Sequence, residues 1–137
     1  MKQCVLIFWL LWFTGNSFAQ DTLRSSASKT KILYGTASYY SNKFNGRKTA
    51  NGEIFSQQKM TAACNVLPLG TWIRVTNLRN KRSVVVKVND RLHSKMTRVV
   101  DLSRSAAQKL GYINSGLVKV KVEVLGKKKP ENPVEIK

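Results

Sequence analysis

The sequence predicts a mainly β protein, a small closed β-barrel carrying one short helix, and three observations predict it. Short segments rich in β-branched and aromatic residues recur between turn signals along residues 34–125. The last of them, GLVKVKVEVL, alternates strictly: Val118, Val120, Val122 and Val124 share one face, and Lys119, Lys121 and Glu123 the other. A single stretch, SRSAAQKLG, has helical spacing. In so small a domain, closure into a barrel removes the strand edges that a sandwich would leave open.

Taken in order, residues 1–19 read as a signal peptide. Lys2 is a positive start, Val5 to Phe13 form an apolar run, and Ser17-Phe18-Ala19 is a small-x-small cleavage site. The run is well short of the ~20 residues that span a bilayer, so no transmembrane segment is expected in the mature protein. Residues 20–33, rich in Ser, Thr and Lys, read as a flexible leader. The first strand, YGTASYY over 34–40, ends at the turn-forming SNKFNG. TWIRVT over 71–76 and VVVKVN over 84–89 form a hairpin through NLRNKRS. Ser103 caps the helix at its start, Ala106, Ala107 and Leu110 share a face, and Gly111 ends it. Residues 126–137, with a lysine run, Pro130 and Pro133, read as a basic tail.

Cleavage after Ala19 leaves 118 residues, enough for one core and too few for two. It also leaves Cys64 as the sole cysteine, so no internal disulfide is expected and packing must carry stability. One histidine, His93, and one remaining cysteine cannot build a structural zinc site; neither metal nor cofactor is expected. The chain carries 24 Lys and Arg against 7 Asp and Glu, a formal charge of +17. Within 34–125 the count is 16 against 4, so the excess belongs to the domain as well as its ends. Such a balance implies polyanionic surroundings: nucleic acid, anionic lipid or cell-wall polymer. Export argues against nucleic acid, and lysine excess also serves solubility alone.

Five pieces stand in order: GTASYY, FNGRKTANGEIF, TAACNVLPLGTWIRVTNL, SVVVKVNDR and RVVDLSRSAAQKLG. Together they resemble the rare lipoprotein A family over about residues 33–125. The resemblance implies a six-stranded double-psi β-barrel with one or two short helices, acting as an endolytic peptidoglycan transglycosylase. That activity breaks the bond between N-acetylmuramic acid and N-acetylglucosamine. The partners implied are peptidoglycan glycan strands, and the protein is expected to be an exported, soluble monomer, periplasmic or secreted. Many family members carry a lipid anchor and a further glycan-binding domain, and neither is legible here. The same barrel serves expansin-like proteins, so a non-catalytic wall-binding or wall-loosening module is the alternative. A binder of nucleic acid or lipopolysaccharide, driven by charge, is a third.

Carried residue by residue, the family's site falls on Glu53, Asp90 and Cys64, the last standing where the family presents a histidine. In a lytic transglycosylase the muramyl 6-hydroxyl attacks the anomeric carbon and yields a 1,6-anhydro ring. One carboxyl can serve first as acid and then as base. Asp90, leaving a buried strand, is expected in that role. Glu53, emerging after the turn dipeptide Asn51-Gly52, is expected to assist. The resemblance places Tyr40 in the groove, where Arg47, Lys48 and Arg91 are candidates for holding substrate carboxylates. Asp101, just ahead of the helix, is expected to satisfy its first N–H groups. Three readings of Cys64 stay open: a tolerated replacement lining the groove, a mark of lost catalysis, or a small apolar residue filling the barrel. His93, three residues after Asp90, is the one imidazole that could stand in for the missing one.

Overall fold

Alternation of apolar and polar residues builds the barrel wall. In β4 (Ser83–Asp90) Val84, Val86 and Val88 turn inward, and in β6 (Val118–Gly126) Val118, Val120 and Val122 do the same. β1 (Ile32–Tyr39) and β3 (Trp72–Asn77) complete the long strands, with Ala37, Ile73 and Val75 buried. A computed structural model describes residues 29–132. The signal peptide expected over 1–19, most of the expected leader and residues 133–137 of the tail lie outside the described residues.

Two strands went unforeseen, β2 (Thr61–Ala63) and β5 (Val100–Leu102). Three residues are too few to show a period, yet both strands are central to closure. Around the barrel the order is β1-β5-β2-β4-β3-β6, and β6 pairs with β1 to shut it. The pairs β1/β5 and β2/β4 are parallel and the rest antiparallel. β1 also starts at Ile32, inside the stretch read as leader, because its first residues ladder onto β6 through Ile32 and Glu123. Gly35 lets the loop before β5 close on β1: a Cβ there would stand 2.8 Å from the Cβ of Val99.

The helix α1 (Arg104–Leu110) follows β5 as its caps require. The Ser103 hydroxyl accepts from the Ala106 N–H, and Gly111 takes the left-handed conformation at φ 78°. Ala106, Ala107 and Leu110 face the core. The helix's last carbonyl is not orphaned: Leu110 O accepts from Asn77 Nδ2 at 2.9 Å and Asn80 Nδ2 at 2.8 Å. One irregularity matters for the site. Ala62 pairs with Val88 but Ala63 pairs with Asp90, so Asn89 is an extra residue bulging from β4 just before the aspartate. Bulges of this kind redirect the side chains beside them.

Candidate functional site

The bulged end of β4 delivers Asn89, Asp90 and Arg91 to the barrel rim, where the loop of residues 45–55 meets them. That loop is a small hairpin, held by Phe55 N–H to Arg47 O at 2.7 Å and Thr49 N–H to Glu53 O at 2.8 Å. The Asn51 side-chain oxygen accepts from the Thr49 hydroxyl and the Glu53 N–H, and Gly52 supplies the turn's positive φ of 88°. The hairpin docks on β4 through Asn51 N–H to Asn89 O.

Asp90 is gripped on both oxygens. Oδ1 accepts from the backbone N–H of Ala50 at 2.9 Å and of Arg91 at 2.8 Å, and Oδ2 accepts from the Tyr40 hydroxyl at 2.6 Å. Tyr40 is itself fixed, stacked on Phe55 with centroids 4.1 Å apart and set edge-on to Phe44. Burial, and next the bond to Asp90, push the Tyr40 phenol far above its ordinary range. It therefore keeps its proton and does not act as a base. Both residues line a cleft of about 530 Å³. Tyr39, Phe44, Leu92 and Met96 give it apolar walls, Lys43, Arg91 and Arg98 give it cations, and His93 adds an imidazole. The His93 imidazole thus shares the cleft with Asp90, its Nδ1 accepting from the Lys95 N–H at 3.3 Å.

Glu53 sits outside that cleft, further back along β4. Its carboxylate accepts from Lys87 Nζ at 3.0 Å, Asn51 Nδ2 at 2.7 Å and Asn89 Nδ2 at 3.3 Å. The Lys87 bond, with help from the two amides, holds its pKa below the usual carboxylate range against a small opposing effect of burial. Near neutral pH Glu53 is an anion and has no proton to give. Its folded pKa lies below its unfolded one, so the pair's contribution to stability is present above the unfolded value and is lost as pH falls through the folded one. Because Glu53's side chain is 39 % exposed, that contribution is small. The melting-temperature gap between wild type and Glu53→Gln is expected to shrink on acidification from about pH 6 to about pH 3, as thermal melts would register.

Three other expected site residues do not present their side chains to substrate as expected. Cys64 is fully buried in the hydrophobic core, so its thiol lines no groove. Its backbone nonetheless serves the site: Cys64 N–H donates to Asp90 O at 3.0 Å, and Cys64 O accepts from Arg91 Nη1. Arg91 borders the cleft, but this same Nη1 also donates to Leu67 O. The guanidinium thus ties loop 64–67 to the end of β4, where the sequence had suggested a free cation for substrate. Arg47 is exposed, its guanidinium 5.7 Å from the Phe44 ring centroid and away from the cleft. Asp101 accepts two bonds from Arg98, at 2.8 and 3.0 Å, in place of helix N–H groups. Sequence reasoning missed Lys87, Asn89 and Asn51. The one available signal was Lys87, a charge interrupting the apolar run VVVKVN.

Residues 33–122 match the family model described as "Lytic transglycolase". The chain belongs to the lytic transglycolase family. Its relatives include the "Endolytic peptidoglycan transglycosylase RlpA" of Pasteurella multocida, 50 % identical over 105 residues, a match covering 74 % of this chain and 36 % of that protein. The protein of the same name from Pseudomonas aeruginosa is 54 % identical over 91 residues, covering 66 % and 27 %. The chain therefore matches about a third or less of the length of these relatives. Among solved structures, the Clavibacter michiganensis expansin superposes with a TM-score of 0.59 at 22 % identity, covering 75 % of this chain and 54 % of the expansin. The Streptomyces papain inhibitor gives 0.57 at 22 %, covering 69 % and 94 %. These likenesses establish the lytic transglycolase barrel as the six-stranded double-psi form and speak to fold alone.

Proposed function

We propose that this protein is an exported peptidoglycan lytic transglycosylase that cleaves the muramyl-to-glucosaminyl bond with Asp90 as acid and base. The observation that carries the reading is the grip on Asp90: three donors aim its carboxyl at the wall of an open cleft, in a chain of the lytic transglycolase family. Relatives named for endolytic transglycosylase activity support the same chemistry.

The donors also favour one place for the transferable proton. Oδ1 is occupied by two amide N–H groups, so the acid's proton resides on Oδ2, with the Tyr40 hydroxyl rotating to accept. Asp90 gives that proton to the glycosidic oxygen as the bond to the anomeric carbon breaks. The muramyl 6-hydroxyl then closes on that carbon, and the carboxylate takes the hydroxyl proton, returning to its starting state. The leaving oxygen and the attacking hydroxyl need only one carboxyl between them, which suits a site with a single cleft-lining acid free of an ion pair. Glu53, held outside the cleft by Lys87 and Asn89, steadies the 45–55 hairpin that brings the Ala50 N–H to Asp90. A closed barrel leaves no strand edge for pairing between copies, which supports a monomer. No described helix is long and apolar enough to cross a membrane.

The test is mass spectrometry of sacculi digested by the purified protein: 1,6-anhydro-muramyl ends are expected. Protein that pellets with sacculi but releases nothing would replace this reading with the non-catalytic, expansin-like one. Cys64→Ala is expected to cost about 1 kcal/mol of stability, by loss of one buried atom, and to leave turnover unchanged. A denaturant midpoint and a product count together check it, and a large fall in turnover would return the thiol to the chemistry.

A further inference from the structure

Beyond the cleft holding Asp90, a second groove of about 330 Å³ lies on the barrel wall across β2, β4 and β3. Its floor follows one row of paired residues: Thr61 of β2 stands opposite Lys87 of β4, and Lys87 opposite Trp72 of β3. Lys59 and Lys129 flank that row, the latter with its ammonium 5.7 Å from the Trp72 ring centroid. Neither has a carboxylate partner among the described residues. The Thr61 hydroxyl, in a residue only 7 % exposed, has no hydrogen-bond partner at all. A buried hydroxyl without a partner is uncommon and marks a place where an incoming group completes the bonding.

We infer that this groove is a second saccharide subsite, seating a carboxylate-bearing sugar of the strand whose neighbouring bond is cleaved at Asp90. The inference rests on the transglycosylase reading for its ligand. Trp72 offers an aromatic face to the ring, Lys59 and Lys129 meet the carboxylate, and the Thr61 hydroxyl meets a sugar hydroxyl. Lys87 lines the second groove and holds Glu53, whose other partner Asn89 adjoins Asp90 of the first. Along β4, Lys87 and Asp90 are three residues apart, about 10 Å of strand, so one extended strand of sugars reaches both. Charge selects the ligand: three lysines gather here, and among the described residues Glu53 is the one carboxylate that meets any of them. An uncharged oligosaccharide of equal length leaves Lys59 and Lys129 unsatisfied.

The experiment titrates catalytically dead Asp90→Asn with an N-acetylmuramic-acid-containing oligosaccharide and with chito-oligosaccharide, following the heat of binding by calorimetry. Binding is expected for the anionic ligand, weakened by salt, and tighter than for the neutral one. Adding Trp72→Ala is expected to cost about tenfold in affinity, the worth of one aromatic contact, while Trp72→Phe retains most of it. Lys59→Ala with Lys129→Ala should abolish the preference for the anionic ligand. In the active protein, Trp72→Ala should raise KM on intact sacculi with little change in kcat. Equal affinity for both ligands, or Trp72→Ala and the double lysine variant binding as wild type, would overturn the subsite even if sacculi are still cleaved. Conversely, an intact anionic preference with no cleavage by wild type would refute the catalytic reading and uphold the groove.

Discussion

Asp90→Asn is expected to lower release of anhydro-muramyl fragments by about 10²- to 10⁴-fold, the usual worth of a general acid and base, while leaving the fold in place. The substitution is nearly isosteric. The amide oxygen still accepts from the Ala50 and Arg91 N–H groups, and the new amide donates to the Tyr40 hydroxyl, which accepts as readily as it donates. Melting temperature should therefore stay close to that of wild type, and sacculus binding should persist. Activity and stability part company only if the carboxyl itself moves the proton. Wild-type release by Asp90→Asn would remove Asp90 from the mechanism.

Arg91→Ala is expected to act through architecture. Its Nη1 holds the carbonyls of Cys64 and Leu67 against the end of β4. Without it those acceptors turn to water, at about 1–2 kcal/mol, and the Asp90–Arg91 turn loses its anchor. A drift of the carboxyl by an ångström costs on the order of 10²-fold in rate, so kcat should fall more than KM rises. Arg91→Lys should recover part of both losses, since a single nitrogen makes both bonds. A residue that only attracted anionic substrate would behave otherwise, with unchanged melting, raised KM and an effect erased by salt.

The comparison of sequence with structure divides along a physical line. β6 was legible because inward valines alternate with outward charged residues, β4 because it is a run of valines bounded by turn signals, and α1 because Ser103 and Gly111 punctuate it. β2 and β5 were not, because three-residue strands carry no period and are specified by partners far away in the chain. At the site, a pattern of residue types locates charge but not the direction in which a donor points. Arg91 and Arg47 looked alike as free cations; one is spent on backbone carbonyls and the other lies over Phe44. Cys64 drew attention for its thiol, whereas its peptide group is the part that meets Asp90 and Arg91. Lys87 went unremarked because nothing local announced that the 45–55 hairpin would bring Glu53 to it.

Closure of the wall by β1 against β6 has a consequence for how the molecule comes into being. Its seam joins Ile32 to Glu123, so the ring stays open until β6 has emerged. Before then a growing chain holds only fragments of the ladder, and the search for distant partners makes acquisition of the native state slow, on the order of milliseconds to seconds. Such a polypeptide is an open ladder while it grows, and becomes a locked ring only when β6 meets β1.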